Sequence, residues 1–498
     1  MRDFPPLGLL VFVVGAASLG AEIAAARLLA PFFGASTIVW ANTIGVVLLS
    51  LSVGYWLGGR FADRHPRKQA LCALVLVAAG AVALVPFAAE PFLKASVDAL
   101  DRVSAGAFIG SLLAVAILIA PPVMLLGAVS PYAVRLSVNR VEESGSVAGR
   151  MYAISTAGSL LGTFGAALVL IPLVGTRRTF IVFALACALT AVAGVGRRIA
   201  GAVPLAIIAL AVMPTGTVKG AGDGRVLEEV ETRYQYARVV EEDGGERKLE
   251  LNEGLAVHSL YRPGSYLTDD YWDSFLVLPF ATGGQAPRRV AILGNAAGTT
   301  ARAMGRFFPA TRIDAVEIDP ELTRLGRRWF DLRNPRMNMH HEDARPFLRR
   351  SEGGYDAIFV DVYRQPYIPF YLATREFFTL ARDRLRPGGA VIVNVGHPDG
   401  QNHLEQVLTA TLGVPFGSVA RDPVEDTNTL LVASQSALSP GRLLHAAGRL
   451  PAQLRPVARA AARRLGAPLT GGAVYTDDRA PVEWLIDRSI VDYAANGE

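Results

Sequence analysis

The sequence predicts a multi-pass α-helical membrane domain, then a small antiparallel β domain, then an α/β domain on a mostly parallel, doubly wound sheet. Three observations carry this expectation. Long apolar runs crowd residues 7 to about 214, whereas most of the Asp, Glu, Tyr and His lies beyond them; about 18–20 apolar residues suffice for a helix to cross about 30 Å of hydrocarbon. Short alternating apolar runs separated by turn residues follow. From Val290 onward, apolar β-type runs alternate with helical patterns, the sign of a parallel sheet.

At 498 residues the chain exceeds one ordinary core. Spans are expected near residues 7–30, 38–59, 69–92, 106–130, 148–173 and 177–195, with a short seventh near 199–214. The opening run is too long for a cleavable leader and carries Glu22 and Arg27, which read as a structural pair or a snorkelling Arg, with a polar lining for a solute path as the alternative. Pro121 and Pro122 interrupt the fourth span and imply a kink. The formal charge is +5, and much of the basic excess sits in loops between spans, so it is assigned to membrane topology and not to nucleic acid. Loops holding Arg60, Arg64, Arg67 and Lys68 mark the cytoplasmic side. A full crossing at 199–214 would put the remaining half outside, so that segment is expected in the interface, with the catalytic part in the cytoplasm. Cys72 and Cys187 are the two cysteines, both within expected spans, which leaves no disulfide framework or cysteine metal site.

The boundaries that follow are 1–214 for the membrane domain, 215–225 for a Gly-rich linker, 226–285 for the β domain, 286–435 for the α/β domain and 436–498 for a C-terminal helical segment. In the β domain, runs at 226–232, 237–241 and 248–252 read as strands, with a hairpin at Asp243 to Gly245. Tyr234 and Gln235 stand between the first two runs.

The α/β domain opens on VAILGNAAGTTARAMGRFFPATRIDAVEIDPEL, Val290 to Leu322. Gly294 and Gly298 bracket a small-residue turn between a strand and a helix. A second strand ends on Glu317, 19 residues past Gly298, about the spacing at which an acid receives ribose hydroxyls. GNAAG lacks the central glycine that admits a pyrophosphate, so a cofactor without phosphates suits the turn better than a dinucleotide. Further strands at 337–340, 357–360 and 390–395 and a helix at 374–385 complete the pattern. Ligands of such sheets bind at the carboxyl ends of strands, where Glu317, Glu342, Asp343 and Asp361 fall. Glu317 is assigned to the ribose, Asp343 with the Ala344 backbone to the adenine, and Asp361 to the reacting end. His340 and His341 are adjacent on a strand and point to opposite faces, so no metal is expected.

These residues resemble the spermidine synthase (polyamine aminopropyltransferase) family, in the form fused to an amino-terminal transmembrane domain. RYQYA, LELNEG, the YW of TDDYWDSFLVLPF, GNAAG, VEID, HEDAR and FVDVYRQPYIPFYL carry the likeness over about 230–435, and YTDDRAPVE, Tyr475 to Glu483, is similar to a signature of the membrane-fused members. The resemblance implies a Rossmann-like methyltransferase fold in which Gln235, Glu317 and Asp343 hold the nucleoside of decarboxylated S-adenosylmethionine. It further implies a transferase of polyamine biosynthesis that releases methylthioadenosine, and a possible homodimer. Two positions depart from the family: Ala297 stands where soluble members carry an acid toward the donor, and Arg364 where they carry an acid for the attacking amine. Asp361 is therefore the candidate base with Tyr363 as hydroxyl partner, and Tyr234, Asp270, Tyr271 and Arg364 are candidate substrate contacts. The alternative keeps S-adenosylmethionine itself and changes the reaction, to methyl transfer or to lactone release without an acceptor.

Overall fold

The computed structural model describes residues 5–33, 37–100, 106–195, 197–213, 224–252, 256–363, 368–397 and 399–486. Arg364, most of the 215–225 linker and residues 487–498 lie outside the described residues. The chain divides into two compact units, Met1–Gly220 with Val230–Tyr236, and Ala221–Glu229 with Ala237–Glu498.

The first unit is helical. Among the described residues five helical stretches are long and apolar enough to cross a membrane: Leu7–Phe33, Val39–Arg64, Lys68–Ala89, Ile109–Ser137 and Val141–Gly194. The last holds 54 residues, far more than one crossing needs. Gly175 interrupts it at φ 83°, ψ 166°, between the two spans read separately from the sequence at 148–173 and 177–195. The count of five against six rests on that one residue. The helix Arg197–Val212 has 16 residues, or about 24 Å at 1.5 Å per residue, short of the hydrocarbon thickness.

Small residues let these helices meet backbone to backbone. A Cβ on Gly158 would lie 2.0 Å from Phe12 O, and one on Gly162 2.0 Å from Ala16 O. Close approach of this kind drives helix association where lipid offers no hydrophobic gain. In the fourth stretch the turn Val115–Ile119 just before Pro121 and Pro122 is a π-helix, which relieves the missing proline donors. Arg27 donates to the Arg233 carbonyl.

The second unit holds two sheets. In the first, β1 (Arg225–Glu231), β2 (Tyr236–Glu241), β3 (Arg247–Leu251) and β4 (Val257–Tyr261) lie in that order. In the second, β5 (Arg289–Leu293), β6 (Arg312–Val316), β7 (Met337–His340), β8 (Tyr355–Val360), β9 (Leu385–Gly396), β10 (Ser418–Glu425) and β11 (Asn428–Ser434) take the order β10-β11-β9-β8-β5-β6-β7. Strands β5 to β9 are parallel, and the β10–β11 hairpin is antiparallel. From β5 the chain runs outward through β6 and β7, then returns to β8 on the other side, so the reversal falls between β5 and β8.

Alternation along the strands gives each face its own core. Val290, Ile292 and Phe359 join one apolar cluster; Ala291, Leu293, Ile358 and Val360 join the other. Burying both faces fixes the register, since a slip of one residue would exchange them.

Candidate active site

The turn after β5 and the end of β8 meet where the strand order reverses. Gly294 has φ 83°, and a Cβ there would stand 2.1 Å from the Asp361 carbonyl oxygen. Only glycine fits at this position. Gly298, φ 94°, begins the helix Thr299–Phe307. Strand β4 braces the turn, because Ser259 Oγ accepts the Ala297 N–H at 3.0 Å and Thr299 Oγ1 accepts the Leu260 N–H at 2.8 Å.

Glu317 follows β6 and is 7% exposed. Its Oε2 accepts the Ala296 N–H at 2.8 Å and its Oε1 the Asp319 N–H at 3.0 Å. Burial pushes its carboxyl up to about 7, against those hydrogen bonds, which favour the charged form. Two carboxylate oxygens offer about four acceptor positions, so with the Ile318 backbone also drawing on them capacity remains for ribose hydroxyl contact.

Asp343 follows β7 and caps the helix Ala344–Arg350 through the Arg345 N–H at 2.9 Å. Its other oxygen accepts the Tyr371 hydroxyl at 2.5 Å. The C-terminal signature packs against the same helix: Asp477 accepts Arg345 at 2.8 and 2.5 Å and Thr374 Oγ1 at 2.7 Å.

Asp361 follows β8. Tyr271 donates to its Oδ2 at 3.1 Å, and Asn394 Nδ2 donates to its Oδ1 at 2.8 Å. Burial lifts the carboxyl to about 6, while hydrogen bonds from Asn394, Tyr271 and Trp272 pull downward. Tyr271 is itself buried, which raises its phenol well above the usual range with Asp361 adding to the effect, so it serves as a fixed donor. The Tyr271 N–H is taken by Asp270 Oδ1 at 2.8 Å and by Glu425 Oε1 at 2.9 Å. Burial, with Asp270 adding to it, pushes the Glu425 carboxyl up.

The expected partnership of Asp361 with Tyr363 takes another form. The Tyr363 hydroxyl donates to Asn394 O at 3.2 Å and accepts the Gly396 N–H, so β9 holds it. Tyr271, 90 residues earlier in sequence, supplies the hydroxyl on Asp361. Tyr234 and Gln235 belong to the turn before β2, where Thr232 Oγ1 accepts both their N–H groups at 3.0 Å; Tyr234 is exposed and Gln235 buried. Asn394, Glu425 and Tyr371 are site residues that sequence reasoning missed. Asn394 lies near the carboxyl end of β9, where the strand-end rule that selected Asp361 would have found it. Glu425 closes β10, a strand the sequence does not announce, and Tyr371 carries no such signal.

The histidines go separate ways, His340 Nε2 to Asp314 Oδ1 and His341 Nε2 to Thr323 Oγ1, each at 3.2 Å. Among the described residues no group of three or more His, Cys, Asp or Glu is disposed to hold a metal.

A doubly wound sheet with a glycine turn and carboxylates at three strand ends defines the class: an α/β domain with a candidate site at the switch point of its sheet. Residues 278–420 match the family model of the spermine/spermidine synthase domain. The chain is 31% identical to a probable polyamine aminopropyl transferase of Bifidobacterium longum over 53% of its own length and 64% of the relative's. It is 27% identical to polyamine aminopropyltransferase 1 of Streptomyces coelicolor over 78% of its length and 75% of the relative's. It thus spans just under two thirds of the Bifidobacterium relative. A crystal structure of a probable spermidine synthase from Corynebacterium glutamicum aligns at TM-score 0.39 and 21% identity, over 52% of this chain and 99% of that one.

Proposed function

We propose that the chain is a membrane-anchored transferase that moves an aminopropyl-type chain from an S-adenosyl sulfonium, decarboxylated or intact, to a polyamine or related amine. Methylthioadenosine is the other product. The observation that carries this reading is the pairing of Glu317 and Asp361 at the ends of β6 and β8, on either side of the Gly294 turn. One buried carboxylate there has capacity for ribose hydroxyls, and the other is a base with a hydroxyl donor already fixed on it. The activities for which the relatives are named point the same way.

A sulfonium brings its own leaving group, so the protein has to orient the reactants and take a proton. Glu317 and the Asp343–Ala344 helix start hold the nucleoside. Asp361, lifted toward neutrality, accepts the ammonium proton as the amine nitrogen bonds to the carbon on sulfur and the C–S pair stays with sulfur. Tyr271 and Asn394 keep that carboxylate aimed. The helical unit anchors the enzyme in the cell membrane with the catalytic unit in the cytoplasm, and the partners are small molecules and lipid, with a homodimer as the assembly.

Mass spectrometry of the purified full chain incubated with either sulfonium, with and without putrescine, tests this. The expected products are methylthioadenosine and an extended amine in equal amounts, with turnover cut about 10²–10⁴-fold in Asp361→Asn. Methylated amine, or methylthioadenosine with a lactone and no acceptor requirement, would replace this reading with the alternative chemistry.

A further inference from the structure

Asn295, second residue of the glycine turn, is 5% exposed, and neither its Nδ2 nor its Oδ1 has a hydrogen-bond partner. Its backbone N–H is satisfied by Val316 O at 3.1 Å, so only the amide head is left over. Buried polar groups in native proteins are almost always paired, and an apolar side chain of similar shape would avoid the cost. Asn295 is among the residues that line a narrow cleft with Gly294, Thr300, Trp272, Phe359 and Asp361, and its amide head is sealed beside it. That cleft is about 10 Å³, room for about one water, so a ligand entering it has to part the aromatic wall.

We propose that Asn295 reads the polar tail of the sulfonium co-substrate and that the tail it fits bears both an ammonium and a carboxylate, as intact S-adenosylmethionine does. The amide oxygen only accepts and the amide nitrogen only donates. A tail ending in an ammonium alone has donors only; it satisfies Oδ1 and leaves Nδ2 orphaned. An amino-acid tail satisfies both. A neutral amide also spares the tail carboxylate the repulsion an acidic side chain would impose. The inference rests on the transferase reading above and specifies its donor: the chain passed to the amine keeps its carboxylate. The new bond forms between the amine nitrogen and the carbon on sulfur, the C–S bond breaks with its electron pair left on sulfur, and the amine proton goes to Asp361.

Isothermal titration of the full-length protein with S-adenosylmethionine, its decarboxylated form and tail-less methylthioadenosine tests this. The expected result is tighter binding of the intact donor than of the decarboxylated one, by about tenfold or more. Asn295→Leu should erase that preference and leave methylthioadenosine affinity unchanged, and Asn295→Asp should reverse it. Equal or tighter binding of the decarboxylated donor, or a preference that survives Asn295→Leu, would overturn the proposal and leave the amide holding a trapped water only. Failure of methylthioadenosine itself to bind would overturn the transferase reading instead, and this inference with it.

Discussion

Tyr271 donates its hydroxyl to Asp361 at 3.1 Å across 90 residues of sequence, and with Asn394 this bond opposes the effect of burial on the candidate base. It favours the charged carboxylate and so holds Asp361 below where burial alone would put it. Tyr271→Phe should therefore raise the Asp361 carboxyl above about 6. Since the ionised form is the base, the acid limb of the rate profile should move to higher pH, with kcat at pH 7 down about tenfold. A profile that falls without moving would assign Tyr271 to packing.

Glu317 predicts two opposite pH trends. Its carboxyl rises from 4.5 to about 7 on folding, so between those values the folded chain binds more protons than the unfolded one. Stability of the empty protein should then fall as pH rises through that window. Ribose hydroxyls need the carboxylate, so nucleoside affinity should instead fall about tenfold per unit as pH drops below about 7. Thermal melts and calorimetry with methylthioadenosine between pH 5 and 8 read both, and binding at pH 7 should release protons, seen as a buffer-dependent enthalpy.

Asp477 reaches the site through Arg345, which also donates to the Tyr371 carbonyl at 3.0 Å, while the Tyr371 hydroxyl holds Asp343. Asp477→Ala should raise the sulfonium KM several-fold with little change in kcat, and cost about 1–2 kcal/mol of stability. An equal loss in kcat would place Asp477 in the chemistry.

Gly294→Ala meets two obstacles at once, a positive φ and backbone 2.1 Å from the new Cβ. Loss of about 3 kcal/mol or more is expected, enough to lower the yield of folded protein. At Gly298 the obstructing atoms are the tip of Leu332, which can swing aside. Gly298→Ala should therefore cost less, and the ranking of the two melting temperatures checks the difference.

How much of this was legible in sequence depended on the range of the signal. Strands β5 to β8 lie within two residues of their expected limits, because buried parallel strands read as apolar runs between turns. The hairpin β10–β11 was not anticipated, since SVARDPVE carries Arg, Asp and a proline within its run and reads as a loop. Strand β4 is not legible either; VHSLY is short and mixes His and Ser with its apolar residues. At the site, Glu317 and Asp361 could be picked from strand ends alone. Tyr363, two residues from Asp361, is the hydroxyl partner expected from the sequence, yet the fold brings Tyr271 there instead. Side-chain pairing across a sheet edge depends on which strands are neighbours, and that order is not written in any local pattern.

The most direct test of the central claim is a structure of the full chain with methylthioadenosine bound. The account predicts both ribose hydroxyls within hydrogen-bond distance of the Glu317 carboxylate, and the sulfur on the side of the glycine turn that faces Asp361. A nucleoside seated elsewhere, or ribose hydroxyls turned away from Glu317, would contradict it.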